Sequence, residues 1–216
     1  MGKKRLRIKV CGMKYPNNLA QLTKLRIDMI GFIFYDRSSR FVETTLSAAA
    51  VYAIPARIQR VGVFVNDTTK NIVSMARWLR LNAVQLHGSE TPDECWRVKN
   101  TGITVIKAFH VADDAEFAEC DRYEGACDFF LFDTKTREYG GSGIKFKWEA
   151  LSNYSGKTPF FLSGGIGPAD AAIIKEIQHP ALYGIDLNSK FETKPGWKDV
   201  DSIRTFLDEI KTEIKK

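Results

Sequence analysis

Along the chain, short runs of consecutive apolar residues alternate with longer segments whose apolar positions recur every three or four residues. Eight runs read as strands: Arg5 to Val10, Met29 to Phe34, Arg60 to Val65, Ala83 to Leu86, Thr104 to Phe109, Phe129 to Phe132, Pro159 to Leu162 and Leu182 to Ile185. Several are apolar throughout, as strands covered on both faces are. Between them, the spacing over Thr68 to Leu81 puts Ile72, Met75, Ala76 and Leu79 on one helical face. Ser202 to Ile214 does the same with Ile203, Phe206, Leu207 and Ile210. Pro92-Asp93-Glu94 and Pro168-Ala169-Asp170 carry proline and acid where helices begin. About eight βα units with no linker between them predict an α/β fold, a single (β/α)₈ TIM barrel over residues 1–216.

The seventh and eighth units share a plan. Phe160-Phe161-Leu162-Ser163-Gly164-Gly165-Ile166-Gly167-Pro168 is an apolar strand entering a glycine pair and a helix start, where backbone N–H groups and a helix end attract an anion. Leu182-Tyr183-Gly184-Ile185-Asp186-Leu187-Asn188-Ser189-Lys190 again ends in short polar residues and a cation. The two turns predict a phosphate site after strands 7 and 8, with Gly164, Gly165, Asn188 and Ser189 supplying backbone contacts.

Composition narrows the partners. The chain is 44% hydrophobic and 27% charged, which excludes a disordered protein. Its net charge of +6 comes largely from Lys3-Lys4-Arg5-Leu6-Arg7 and the Lys211 to Lys216 end, while interior charges are interspersed. That distribution favours an anionic small molecule over nucleic acid. No segment has the apolar length of a signal peptide or membrane span. Cys11, Cys95, Cys120 and Cys127 form no C-x-x-C pair, so a reducing cytoplasmic setting is expected. Monomer and homodimer are both left open.

In a barrel the C-terminal strand ends meet at one mouth, which singles out Cys11, Arg40, His87, Asp133, Ser163 and Asp186. Cys11 alone reads first as a small buried apolar residue, and Asp133, after four apolar residues, either caps a loop or faces the mouth. Together, a thiolate and a carboxylic acid beside a phosphate clamp form an isomerase's arrangement, taking a proton from one atom and delivering one to another. The polar, glycine-rich stretch Thr134 to Gly143 is a candidate lid. His87, His110 and His179 are widely separated and show no metal-ligand spacing, and no dinucleotide fingerprint occurs; neither metal nor cofactor is expected.

Lys9-Val10-Cys11-Gly12, Ser38-Ser39-Arg40-Phe41-Val42, Val61-Gly62-Val63-Phe64-Val65-Asn66, Gln85-Leu86-His87-Gly88, Phe132-Asp133-Thr134, Leu162-Ser163-Gly164-Gly165-Ile166, Gly184 to Glu192 and Pro195-Gly196-Trp197-Lys198-Asp199 follow one another along nearly the whole chain. In order and spacing this series resembles the phosphoribosylanthranilate isomerase family of tryptophan biosynthesis. The Ser-Gly-Gly segment alone is common to many phosphate-binding barrels; the cysteine, aspartate and serine-lysine motifs make the likeness specific.

The resemblance implies an Amadori rearrangement, with Asp133 as general acid and Cys11 as general base. It implies that Arg40 holds the substrate's anthranilate carboxylate and that His87 binds or orients substrate. Asp186 either lines the mouth as a substrate-orienting group or organises the loop into Asn188-Ser189-Lys190. The family often has proline where Ser39 stands, and Arg37 lies close enough to Arg40 to be mistaken for it. Indole-glycerol-phosphate synthase and ribulose-phosphate epimerase share the barrel and clamp, but the first wants a lysine-based acid-base set and the second a metal held by histidines and aspartates. A non-catalytic phosphosugar-binding barrel would have no use for both Cys11 and Asp133.

Overall fold

The computed structural model describes residues 5–42, 45–111, 114–133 and 148–211. The predicted lid, Thr134 to Gly143, and the terminal basic residues Lys3, Lys4, Lys215 and Lys216 lie outside them. Eight strands close a parallel barrel in sequence order. They are β1 (Arg7–Val10), β2 (Met29–Ile33), β3 (Gln59–Phe64), β4 (Ala83–Leu86), β5 (Thr104–His110), β6 (Phe129–Asp133), β7 (Phe160–Ser163) and β8 (Leu182–Leu187). Closure comes from β1 against β8, with Lys9 opposite Asp186 and Val10 opposite Leu187.

The helices α1 (Pro16–Leu22), α2 (Ala48–Tyr52), α3 (Thr69–Trp78), α4 (Pro92–Lys99) and α5 (Asp114–Cys120) follow the first five strands. Where α3 was expected over Thr68 to Leu81, Thr68 instead caps it by accepting from the Asn71 N–H, and the turn into β4 puts Arg80 at φ +51°. The sixth connection ends in a 3₁₀ turn at Trp148–Asn153. After β7 a 3₁₀ turn at Pro168–Asp170 leads into the short α6 (Ala171–Glu176), so the predicted helix start at Pro168 is one tight turn ahead of the α-helix itself. β8 is followed by a 3₁₀ turn (Ser189–Phe191), a small antiparallel hairpin of β9 (Glu192–Lys194) and β10 (Trp197–Lys198), and α7 (Val200–Lys211), which buries Ile203, Phe206 and Leu207 as its sequence period predicts. No helix of the described residues is long and apolar enough to cross a membrane.

Two apolar layers result. One lies between strands and helices and includes Val10, Ile30, Phe32, Phe64, Leu86, Phe132, Leu162 and Leu187. The other fills the barrel with Met29, Val61, Ala83, Ile106, Ala108, Leu131 and Phe161. Alternation along each strand separates them, and the same alternation determines which side chains reach the mouth.

Candidate active site

Two residues beyond an inward-facing side chain comes the next one, closer to the C-terminal mouth. Leu131 is thus followed by Asp133, Ala108 by His110 and Phe161 by Ser163. On β1, where Ile8 and Val10 face outward, the inward pair is Lys9 and Cys11. Register then fixes neighbours: His110 lies opposite Asp133, and Asp133 opposite Ser163. Cys11 extends β1 by one residue through its N–H to the Leu187 carbonyl at 2.9 Å. The barrel therefore brings Cys11, His87, Asp133 and Ser163 to one end, as the sequence predicts.

Space for the Cys11 sulfur is made by Gly31. A Cβ there would lie 2.7 Å from Sγ, so any larger residue on β2 collides with the thiol. Gly12 answers a different demand. It has φ +78°, and a Cβ on it would meet Arg40 Cδ at 2.7 Å and Asn188 Oδ1 at 2.9 Å. Only glycine satisfies both the left-handed backbone and the approach of two other loops.

Below the thiol lies a buried ion pair, Lys9 Nζ to Asp186 Oδ2 at 2.9 Å. Asp186 stands level with Lys9, within the barrel and beneath Cys11. Burial raises the Asp186 carboxyl above its ordinary range against the pull of Lys9. For Lys9, burial works downward, but Asp186 and Cys11 outweigh it and the ammonium is held above its usual value. Burial also pushes the Cys11 thiol up, while Lys9 and Lys198 pull the other way by favouring the thiolate.

Arg40 is reached by the chain after β2, where Phe41 bridges back to Ile33. Its Nε and Nη2 donate to the Glu192 carboxylate at 2.6 to 3.0 Å. Lys198, wholly buried, donates to the same carboxylate at 2.6 Å and to Asn188 Oδ1 at 2.8 Å. The Pro195-Gly196 turn builds this network, because the hairpin carries Glu192 on one strand and Lys198 on the other. Burial alone would raise Glu192, yet Arg40 and Lys198 hold it below the usual carboxylate range.

The predicted phosphate turns are adjacent: a Cβ on Gly167 would lie 3.6 Å from Lys190 Cβ, joining the turn after β7 to the turn after β8. Gly164 and Gly165 have φ +89° and +69°. The Gly167 N–H is engaged by Asp170 Oδ2 at 2.8 Å, and the Asn188 side chain by Lys198.

His87 is oriented by Gln85, whose Nε2 donates to Nδ1 at 2.6 Å, and presents Nε2 3.7 Å from Asp133 Oδ2. Behind it, Glu90 accepts from the Asn66 and Gly88 N–H groups and from Lys107 Nζ, fixing the turn that follows β4. Sequence reasoning missed Lys9, Gln85, Lys107, Glu192 and Lys198. Lys9 and Gln85 carried a signal, since a polar residue inside an apolar strand must find a partner in the barrel. It also found no ligand spacing among the histidines, whereas β4 and β5 place His87 and His110 side by side, ring centroids 5.5 Å apart.

A statistical model of the N-(5'phosphoribosyl)anthranilate (PRA) isomerase family matches residues 8–209. The N-(5'-phosphoribosyl)anthranilate isomerase of Parabacteroides distasonis is 46% identical over 204 residues, covering 94% of this chain and 92% of that protein. Among solved structures, the phosphoribosyl anthranilate isomerase of Thermotoga maritima is 33% identical with a TM-score of 0.81, covering 96% of this chain and 99% of the other. A further phosphoribosyl anthranilate isomerase structure, in complex with reduced 1-(o-carboxyphenylamino)-1-deoxyribulose 5-phosphate, is 28% identical with a TM-score of 0.79, covering 96% and 99%.

Proposed function

The chain belongs to the N-(5'-phosphoribosyl)anthranilate isomerase family, and from that premise we propose how its own residues carry out the family's reaction. As a single catalytic barrel, it converts N-(5-phosphoribosyl)anthranilate to 1-(2-carboxyphenylamino)-1-deoxyribulose 5-phosphate, a step of tryptophan biosynthesis. Asp133 gives its proton to the furanose ring oxygen; the C1–O bond breaks and the nitrogen lone pair forms the C1=N iminium. Cys11, as thiolate, then takes the C2 proton, and the C–H electrons neutralise the iminium to give an enolamine. Protonation at C1 and loss of the enol proton leave the C2 ketone. Substrate and product are isomers, so no external oxidant or reductant is consumed.

One observation carries this reading: alternation along β1 and β6 turns Cys11 and Asp133 to the same mouth. The phosphate is held by backbone N–H groups of Gly164, Gly165, Asn188 and Ser189. Arg40, with Nε and Nη2 already bound by Glu192, offers its remaining edge to the anthranilate carboxylate. His87 orients substrate beside Asp133. Asp186 acts from below through Lys9, keeping a positive charge beside the thiolate. The ligand of the 28%-identical solved relative has the same two ends, a carboxylate and a phosphate.

Purified protein, in chelator and without nucleotide, is expected to consume phosphoribosylanthranilate, followed as loss of its fluorescence. A correctly folded preparation that leaves the fluorescence unchanged refutes the reading.

A further inference from the structure

His87 and His110 stand 23 positions apart in sequence, yet His87 directly follows β4, His110 ends the neighbouring β5, and Asp133 ends β6. His87 Nε2 is 3.7 Å and His110 Nδ1 3.8 Å from Asp133 Oδ2. One ligand atom from each residue lies within 4.8 Å of the other two. We propose that His87, His110 and Asp133 form a site for one divalent cation of the zinc class, and that its occupation shuts off the isomerase by engaging Asp133.

The donor set selects the metal. Two imidazoles and one carboxylate suit zinc and its transition-metal neighbours, whereas magnesium and calcium favour oxygen donors. With metal–ligand bonds of about 2.0–2.1 Å, a tetrahedral ion wants its ligand atoms ~3.3 Å apart. The present separations exceed that by roughly half an ångström to an ångström and a half, a closure within reach of side-chain rotation. His110 is 62% exposed, whereas His87 is 25% exposed and oriented by Gln85, so the closing rotation falls mainly to the His110 ring. Three protein ligands leave a fourth position for water.

Gln85 is the second, independent observation. Its side chain is buried, and its Oε1 makes no hydrogen bond among the described residues, although Nε2 lies 2.6 Å from His87 Nδ1. Turning the amide over puts Oε1 against an Nδ1–H and leaves the Nε2 lone pair of His87 free for a metal. A metal-bound histidine commonly has such a partner on its other nitrogen. The amide therefore serves both states of the ring.

A carboxylate coordinated to a cation holds no proton to donate, so the inhibitory half of the proposal rests on Asp133 being the general acid. Metal binding itself does not.

The test titrates chelator-stripped protein with cobalt(II) by visible absorption, competes the cobalt with zinc, and repeats both on His110→Ala and Gln85→Leu. Expected are one cobalt per chain with the d–d band of a four-coordinate site, displaced by zinc. Because losing an outer partner alone weakens metal binding by about 10–100-fold, Gln85→Leu should do so by that much and His110→Ala by at least as much. Turnover of the wild type should fall in step with zinc occupancy and return with chelator, while His110→Ala, read against its own metal-free rate, needs at least about 10-fold more zinc for the same fractional loss. Unaltered cobalt affinity in His110→Ala, an intense sulfur-to-cobalt charge-transfer band, or no cobalt binding overturns the site. Cobalt binding as expected with turnover unaffected by zinc upholds the site and overturns inhibition through Asp133. If the chain shows no isomerase activity at all, the cobalt titration alone still decides whether the site exists.

Discussion

Replacing Gly31 by alanine tests the position of the Cys11 sulfur without touching it. The added Cβ would lie 2.7 Å from Sγ, 3.2 Å from Cys11 Cα and 3.3 Å from Cys11 Cβ, against an ordinary contact of 3.4 Å or more. The sulfur must therefore retreat by about 0.7 Å, and the strand backbone accepts alanine because φ at Gly31 is not positive. Overpacking of this kind costs about 1–3 kcal/mol of stability. A misplacement near 1 Å can cost ~10²-fold in rate, so kcat should fall roughly 10- to 100-fold. The phosphate turns and Arg40 are not displaced, and KM should stay within a few-fold. Steady-state fluorescence kinetics beside a thermal melt read both effects. A Gly31→Ala variant that folds and turns over at the wild-type rate would refute the assignment of Cys11 as base.

Lys9→Met should lower stability by about 3–5 kcal/mol, since Asp186 is left buried without its partner. Lys9→Met/Asp186→Leu should regain most of that in urea denaturation while remaining slow. With the ammonium gone, the thiol that burial already raises moves further up, so the alkaline rise of kcat/KM should shift to higher pH in Lys9→Met, and by less in the double variant, which also loses the upward push of Asp186; an unshifted profile in Lys9→Met argues against Lys9 supporting the thiolate. Glu192→Gln leaves Lys198 buried without a counter-charge, at a cost of about 3–5 kcal/mol. At roughly 2–4 °C per kcal/mol for a chain of this size, calorimetry should show Tm lower by about 6–20 °C. Because Glu192 is held below its ordinary value, its contribution is complete above about pH 4.3, its unfolded value, and is lost as pH falls through the folded one. The gap between wild type and Glu192→Gln should therefore narrow below about pH 4.3 and stay constant above it; a constant gap down to pH 3 contradicts the pairing.

The barrel was legible because eight apolar runs can be recognised one at a time, and parallel strands buried on both faces leave that mark. Cys11 and Asp133 were legible for a related reason, as polar or reactive residues placed at the ends of such runs. What escaped was made by closure. Lys9 and Asp186 lie 177 positions apart and meet only because β1 pairs with β8. Glu192 and Lys198 come together through a hairpin whose Pro195-Gly196 turn is visible, but its inward carboxylate and ammonium are not. His87 and His110 show no local ligand spacing, since their proximity arises from register between β4 and β5 rather than from a helical period. Arg40 is visible as a cation near the mouth, but its sharing of Glu192 with Lys198 depends on the chain after β2 meeting the β9–β10 hairpin.

Single-turnover fluorescence decay of bound phosphoribosylanthranilate in Cys11→Ala and in Asp133→Asn tests the division of labour most directly. General acid–base catalysis contributes about 10²–10⁴-fold, so each variant should bind substrate and decay at least about 100-fold more slowly than the wild type. Decay of either bound complex at the wild-type rate would contradict the roles assigned to the thiol and the carboxyl.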